Sequence, residues 1–198
     1  MQNICKLWRL RVCIVLWLAR FYANHMQFIA EITVISPSEI EVEGKRYACR
    51  IGRAGIATDK REGDLKTPVG RFLLRHCYYR PDRMPAPETG LATIALAPDD
   101  GWCDDAAHPL YNQHVKLPFA ASHEKLWRED DVYDLIIPMG YNDDPITPGL
   151  GSAIFMHLMR EDGVGTEGCV ALKRSDLLAL LPRLNAATQV IVPALLKA

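Results

Sequence analysis

Phe155-Met156-His157-Leu158 and, after a glycine-bearing loop, Thr166-Glu167-Gly168-Cys169-Val170-Ala171-Leu172 are the segments that decide how this chain folds and what it can do. Both read as the cores of short strands, spanning Ser152 to Leu158 and Cys169 to Leu172. The loop from Met159 to Glu167 carries Gly163 and Gly165 and can turn sharply, which would set the two strands side by side and bring His157 to Cys169. A thiol needs a base to become a thiolate at neutral pH, and a neighbouring His supplies it while its cation steadies the new charge. Gly168 lets a substrate carbonyl approach the N–H groups of Gly168 and Cys169, which would form an oxyanion hole. An inert cysteine is the competing reading, because Glu161, Asp162 and Glu167 raise a thiol pKa rather than lower it. Against that, a buried structural Cys gains nothing from a Gly directly before it, and His157 breaks an apolar run in which a polar residue needs a reason.

Outward from these segments the periodicity is mostly two. Ile32-Val34 and Ile40-Val42 alternate, and Glu43-Gly44-Lys45 makes a turn into Tyr47 to Ile51. Further strands are expected at Val69 to Cys77, Leu91 to Ala97, Val132 to Pro138 and Gln189 to Pro193. One helix is predicted after Arg174, with Ser175 and Asp176 at its start and Leu177, Leu178, Leu180, Leu181 and Leu184 on its apolar face. The stretch from Pro98 to Asp131 has few regular patterns and reads as a lid or a loop-rich insertion over one sheet. The expected class is mainly β.

The chain has 198 residues, 49% of them hydrophobic and 24% charged, so a full core is possible without a disulfide or metal staple. Its net charge of -1 gives no field for a phosphate backbone, so no nucleic-acid partner is expected. Cysteines 5, 13, 49, 77, 103 and 169 contain no C-x-x-C pair, and most read as small buried hydrophobes. Cys103, Asp104, Asp105 and His108 lack a recognised metal spacing. Residues 1–25 form a basic and apolar extension ahead of a domain spanning 26–198. The extension reads as a poor export signal, as an interfacial helix at a membrane, or as sequence upstream of a true start at Met26.

The order Thr67-Pro68-Val69-Gly70-Arg71-Phe72, then His157, then Thr166-Glu167-Gly168-Cys169, resembles the L,D-transpeptidase (YkuD-type) catalytic domain, from about Phe28 to Pro193. The resemblance implies an L,D-transpeptidase-like β-sandwich with mixed sheets. It makes Cys169 the acyl-accepting nucleophile and His157 its base, with the Leu158 carbonyl orienting the imidazole. It implies peptidoglycan stem peptides as partners, no cofactor, no metal, a monomer, and a place in the periplasm or cell envelope. Arg160 is the candidate for a substrate carboxylate, and Thr166 and Tyr141 are candidates for further substrate contacts. Trp102 and Tyr111 are aromatic candidates of the same kind.

Three departures bear on substrate choice: Glu167 stands where many members have His or Lys, Ala171 where an Arg often follows, and the gap from His157 is short. Thr-x-Gly-Cys-Val-Ala-Leu, with Gly101-Trp102-Cys103-Asp104-Asp105 and Gly140-Tyr141-Asn142-Asp143-Asp144-Pro145, resembles a compact subgroup, which implies an unusual 1,3-type crosslink. The rivals are a thiol hydrolase of the same fold, acting as a carboxypeptidase or amidase, and a non-catalytic wall-binding module. A papain-like peptidase is disfavoured because its Cys precedes its His.

Overall fold

The computed structural model describes residues 27–196. The readings made for residues 1–25, including the domain boundary there and Cys5 and Cys13, lie outside the described residues. Fifteen strands run in order: β1 (Glu31–Ser36), β2 (Glu39–Val42), β3 (Lys45–Arg50), β4 (Ile56–Ala57), β5 (Thr67–Pro68), β6 (Gly70–Leu73), β7 (Cys77–Tyr79), β8 (Thr93–Ala95), β9 (Asp100–Cys103), β10 (His114–Lys116), β11 (His123–Lys125), β12 (Leu135–Pro138), β13 (Phe155–Leu158), β14 (Val170–Leu172) and β15 (Gln189–Val192). The helix α1 (Arg174–Leu180) and a 3-10 turn (Leu181–Arg183) lie between β14 and β15.

The chain is mainly β, as its alternation predicts. Ten strands form one mixed sheet in the order β6-β15-β1-β2-β3-β14-β13-β12-β7-β8. The sheet curls until its two halves share one core: Ile32, Val34, Ile40 and Val42 from one half pack in the same cluster as Leu135, Ile137, Met156, Leu158, Val170 and Leu172 from the other. The sandwich is therefore one continuous sheet closing on itself. Glu43 and Gly44 both take positive φ, 51° and 78°, the geometry that a tight hairpin between β2 and β3 requires.

Period two sorts β13 and β14 into two faces. Met156, Leu158, Val170 and Leu172 enter the main core, while Phe155 and Cys169 join Tyr78, Trp102, Leu126, Tyr133 and Ile136 in a second cluster on the opposite face. The insertion builds that second cluster. Its strands form a small antiparallel sheet in the order β10-β9-β11, and Trp102 and Leu126 come from it. Residues 98–131 thus cover the outer face of the large sheet and wall the region around Cys169.

Two expectations need correction. The run Val69 to Cys77 is two strands, β6 and β7, because the chain changes partners there, from β15 to β12. Leu177, Leu180, Leu181 and Leu184 reach the core as expected, but Leu178 is exposed on the helix's outer side.

Candidate active site

β13 and β14 are parallel neighbours with His157 opposite Ala171 in register, so alternation puts His157 and Cys169 on the same face. Both line a cleft of about 470 Å3 with Thr166, Arg160, Arg53, Asp104, Glu124, Arg128, Tyr133 and Ala153. The connecting loop is pinned to the end of β3 and the chain just beyond it: the Thr166 N–H donates to the Ile51 carbonyl (2.8 Å), the Arg53 N–H donates to the Thr166 carbonyl (2.8 Å), and Arg50 Nε donates to the Gly163 carbonyl (2.6 Å).

The turn that presents Cys169 depends on side-chain hydroxyls. Thr166 Oγ1 donates to the Cys169 carbonyl (2.7 Å) and accepts from the Gly168 N–H (3.1 Å). The Gly168 N–H is therefore engaged within the turn rather than open to a substrate oxyanion, a correction to the expected donor pair. Gly168 is required for a different reason: its φ is +143°, and a Cβ there would stand 2.9 Å from the Lys66 carbonyl oxygen. Thr67 Oγ1, fully buried, accepts from the Gly52 N–H (2.8 Å) and donates weakly to the Cys169 carbonyl (3.4 Å). Gly70, where φ is +154°, makes room for the ring of Phe72, which a Cβ would meet at 2.7 Å. The Thr-Pro-x-Gly-x-Phe pattern thus supports the cysteine turn from below.

Cys169 Sγ is held between two backbone groups that sequence reasoning missed. Its thiol donates to the Ala153 carbonyl (3.2 Å), and the Phe155 N–H donates to the sulfur (3.3 Å). Ala153 has a φ of 51°, a left-handed conformation that costs a non-glycine residue about 1–2 kcal/mol. Asn112 holds it there: Asn112 Oδ1 accepts from the Ala153 N–H (3.0 Å) and from Trp102 Nε1 (3.0 Å), while Nδ2 donates to the carbonyls of Tyr141 (3.2 Å) and Asn142 (2.8 Å). Glu62 secures the same loop by accepting from Ser152 Oγ (2.7 Å) and from the Tyr111 hydroxyl, which itself accepts from the Gly151 N–H (2.9 Å). The charges from Lys60 to Lys66 are therefore structural as well as solvated. Lys60 is buried and donates to Asp64 Oδ1 (2.6 Å).

His157 Nδ1 donates to the Leu158 carbonyl (2.8 Å), which fixes the tautomer and leaves the Nε2 lone pair as the ring's acceptor. The Tyr133 ring meets the imidazole edge to face, with centroids 5.3 Å apart. Burial pushes the His157 pKa down to about 4 and the Cys169 pKa up to about 12, the latter with a further push from the charge of Glu124. The resting pair is neutral thiol and neutral imidazole at pH 7.

This has a consequence for stability. The unfolded chain protonates His157 below its ordinary 6.5, whereas the folded chain resists until about 4, so stability falls as pH drops through that window. The contribution is about 3 kcal/mol at 1.36 kcal/mol per pKa unit. His157→Gln is expected to lose less melting temperature than the wild type between pH 7 and pH 4.5. Equal losses would show that His157 is not buried as a neutral group.

The remaining expectations fall out as follows. Arg160 lies at the rim of the cleft, half exposed, and is paired with Asp162 at 2.7 Å. Tyr141 is not in this cleft. Its ring packs on Phe72 (centroids 5.6 Å apart), its hydroxyl donates to the Leu150 carbonyl, and it borders a separate cavity on the other side of Ile154. Trp102 and Tyr111 are buried. Cys49, Cys77 and Cys103 are buried and free. His114 Nε2 bonds Asp100 (2.8 Å) and His123 Nδ1 bonds the Ala121 carbonyl (2.8 Å), so both have structural partners.

Residues 34–192 match the family model of the YkuD L,D-transpeptidase catalytic domain. No curated protein matches the chain.

Proposed function

The chain belongs to the L,D-transpeptidase catalytic-domain (YkuD) family, whose members act on peptidoglycan stem peptides, and from that premise we propose that Cys169 is its acyl-accepting nucleophile and His157 its base. In the first step His157 Nε2 takes the thiol proton as Sγ attacks the donor carbonyl. The bond to the following D-residue breaks, and the His157 proton leaves with that residue's amine. In the second step an acceptor amine attacks the thioester carbon, the amide forms as the C–S bond breaks, and the nitrogen's proton passes through His157 Nε2 to the departing Cys169 thiolate. The carrying observation is the shared cleft in which Leu158 holds Nδ1–H and so keeps Nε2 as an acceptor beside Cys169.

The resting thiol donates to Ala153 rather than to His157. Donor binding therefore has to draw the proton toward Nε2, and the Phe155 N–H remains to stabilise the thiolate. Arg160 receives a donor carboxylate by exchanging Asp162 for it, and Thr166 orders the turn against which the donor lies. The short loop from His157 to Cys169 and the small Ala171 in the cleft shape a donor pocket suited to a 1,3-type linkage. The enzyme works in the cell envelope, where such stems are found.

Purified disaccharide-tetrapeptide incubated with the protein is expected to give crosslinked dimers, with fragment masses that place the bond at the first stem residue of the donor. Dimers joined only between two diamino acids would overturn the linkage. Shortened monomers alone would make the protein a hydrolase.

A further inference from the structure

The cleft holds an imbalance of charge that acylation does not use. Its cations are each matched by a carboxylate: Arg53 by Glu167 (3.1 Å), Arg128 by Asp130 through bonds of 2.8 and 2.6 Å, and Arg160 by Asp162 (2.7 Å). Two carboxyls on the insertion side are not. Glu124, in β11, accepts from the Tyr133 hydroxyl (2.6 Å) and has no ion-pair partner among the described residues. Asp104, just beyond β9, has Oδ1 buried without a hydrogen-bond partner. Antiparallel pairing puts Glu124 opposite Trp102, and Asp104 follows Trp102 by two residues with its N–H donating to the Ser122 carbonyl (3.2 Å), so both carboxyls lie on one face of the small sheet.

These groups face the chemistry. Glu124, Asp104, Tyr133, His157 and Cys169 line the same cleft, and Tyr133 bridges Glu124 through its hydroxyl and His157 through its ring. Burial, opposed by the Tyr133 hydrogen bond and the charge of Arg128 and aided by the charges of Asp104 and Glu167, raises the Glu124 carboxyl above its ordinary range, which makes it a stronger base than an exposed carboxylate. A negative wall next to a thiol hinders thiolate formation, so its presence calls for a different role.

Resting on the acyl-transfer reading above, we infer that Glu124, with Asp104 beside it, selects a primary ammonium as the acyl acceptor and takes its proton. An amine in water at neutral pH is an ammonium with three N–H donors and no nucleophilic lone pair. The Asp104 and Glu124 carboxylates, which line the cleft, accept two of the donors. Glu124 then removes one proton, and the freed lone pair attacks the thioester carbon. The C–N bond forms and the C–S bond breaks. The second nitrogen proton passes through His157 to the Cys169 thiolate, and Glu124 returns its proton to solvent. Water carries no positive charge and is not drawn to the acidic wall as an ammonium is, so the wall favours transfer over hydrolysis.

The test is the decay of acyl-Cys169, preformed with a tetrapeptide donor, in water alone and with added D-alanine or glycine amide as the amine. Glu124→Gln is expected to lower the amine-dependent rate constant, relative to the water rate, by about ten-fold or more, and to move its pH dependence up toward the amine's own pKa. Asp104→Asn is expected to lower the same ratio without that pH displacement. Glu124→Asp is expected to recover part of it. An unchanged ratio and pH profile in Glu124→Gln, with acyl-Cys169 forming normally in the wild type, would overturn this inference alone. Slower acylation with an unchanged ratio would also overturn it, by assigning the carboxyls to an amine of the donor. Absence of an acyl adduct in the wild type would overturn the acyl-transfer reading itself.

Discussion

Cys169→Ala is expected to abolish turnover while leaving the fold in place. The sulfur is the only atom of the cleft floor proposed to form a bond with substrate, and alanine offers no replacement. The backbone around it does not rely on the side chain: Thr166 Oγ1 and Thr67 Oγ1 hold the Cys169 carbonyl, and Gly168 makes the close approach to Lys66. The structural loss is one sulfur atom from a site 7% exposed, together with its contacts to Ala153 and Phe155. That amounts to about 1–2 kcal/mol of stability. Liquid chromatography of crosslinked products and a melting curve check the two halves. Residual crosslinking in the folded variant would remove Cys169 from the mechanism.

His157→Ala is expected to slow acylation by about 10²–10⁴-fold, the usual contribution of a positioned general base. The thiol of Cys169 sits far above neutral pH because of its burial, so little thiolate exists without a base to take the proton during attack. Among the described residues no other imidazole lines the cleft. The loss should appear in kcat more than in KM, since the imidazole is proposed to act on the thiol rather than to hold the substrate. Single-turnover acylation at pH 7 measures it. An unchanged rate would mean that another group of the cleft, such as Glu124, accepts the proton.

The strands that carry this chemistry were legible because β13 and β14 are short, apolar and bounded by glycine-rich loops. Their two faces were not legible. Phe155-Met156-His157-Leu158 is buried on both sides, so its pattern does not say which residues meet the main core and which meet the cleft. The register with β14 decides that. The small sheet was hidden for the opposite reason: β9, β10 and β11 are three or four residues long and contain Asp100, His114, Lys116, His123, Glu124 and Lys125, which give no strand signal. Ala153 and Asn112 were missed in the roles they take because each acts across a long sequence separation through a hydrogen bond, whereas the Thr166 hydroxyl and Glu124 act locally and depend on how the turn and the small sheet fold. A positive φ at Asn112, 56°, is the kind of conformation that asparagine tolerates, but only coordinates place it under Ala153. Tyr141 was a candidate substrate contact as an aromatic side chain, and the fold spends its ring on Phe72 and its hydroxyl on Leu150 instead.

The most direct test of the central claim is intact-protein mass spectrometry of the full chain after brief mixing with a tetrapeptide stem, followed by peptide mapping. The account predicts a mass gain equal to the donor stem up to and including the residue whose carbonyl is attacked, the first for the linkage proposed above, located on the peptide that contains Cys169, discharged by an added amine and absent from Cys169→Ala. An adduct that forms equally in Cys169→Ala, or maps to Cys49, Cys77 or Cys103, would contradict it.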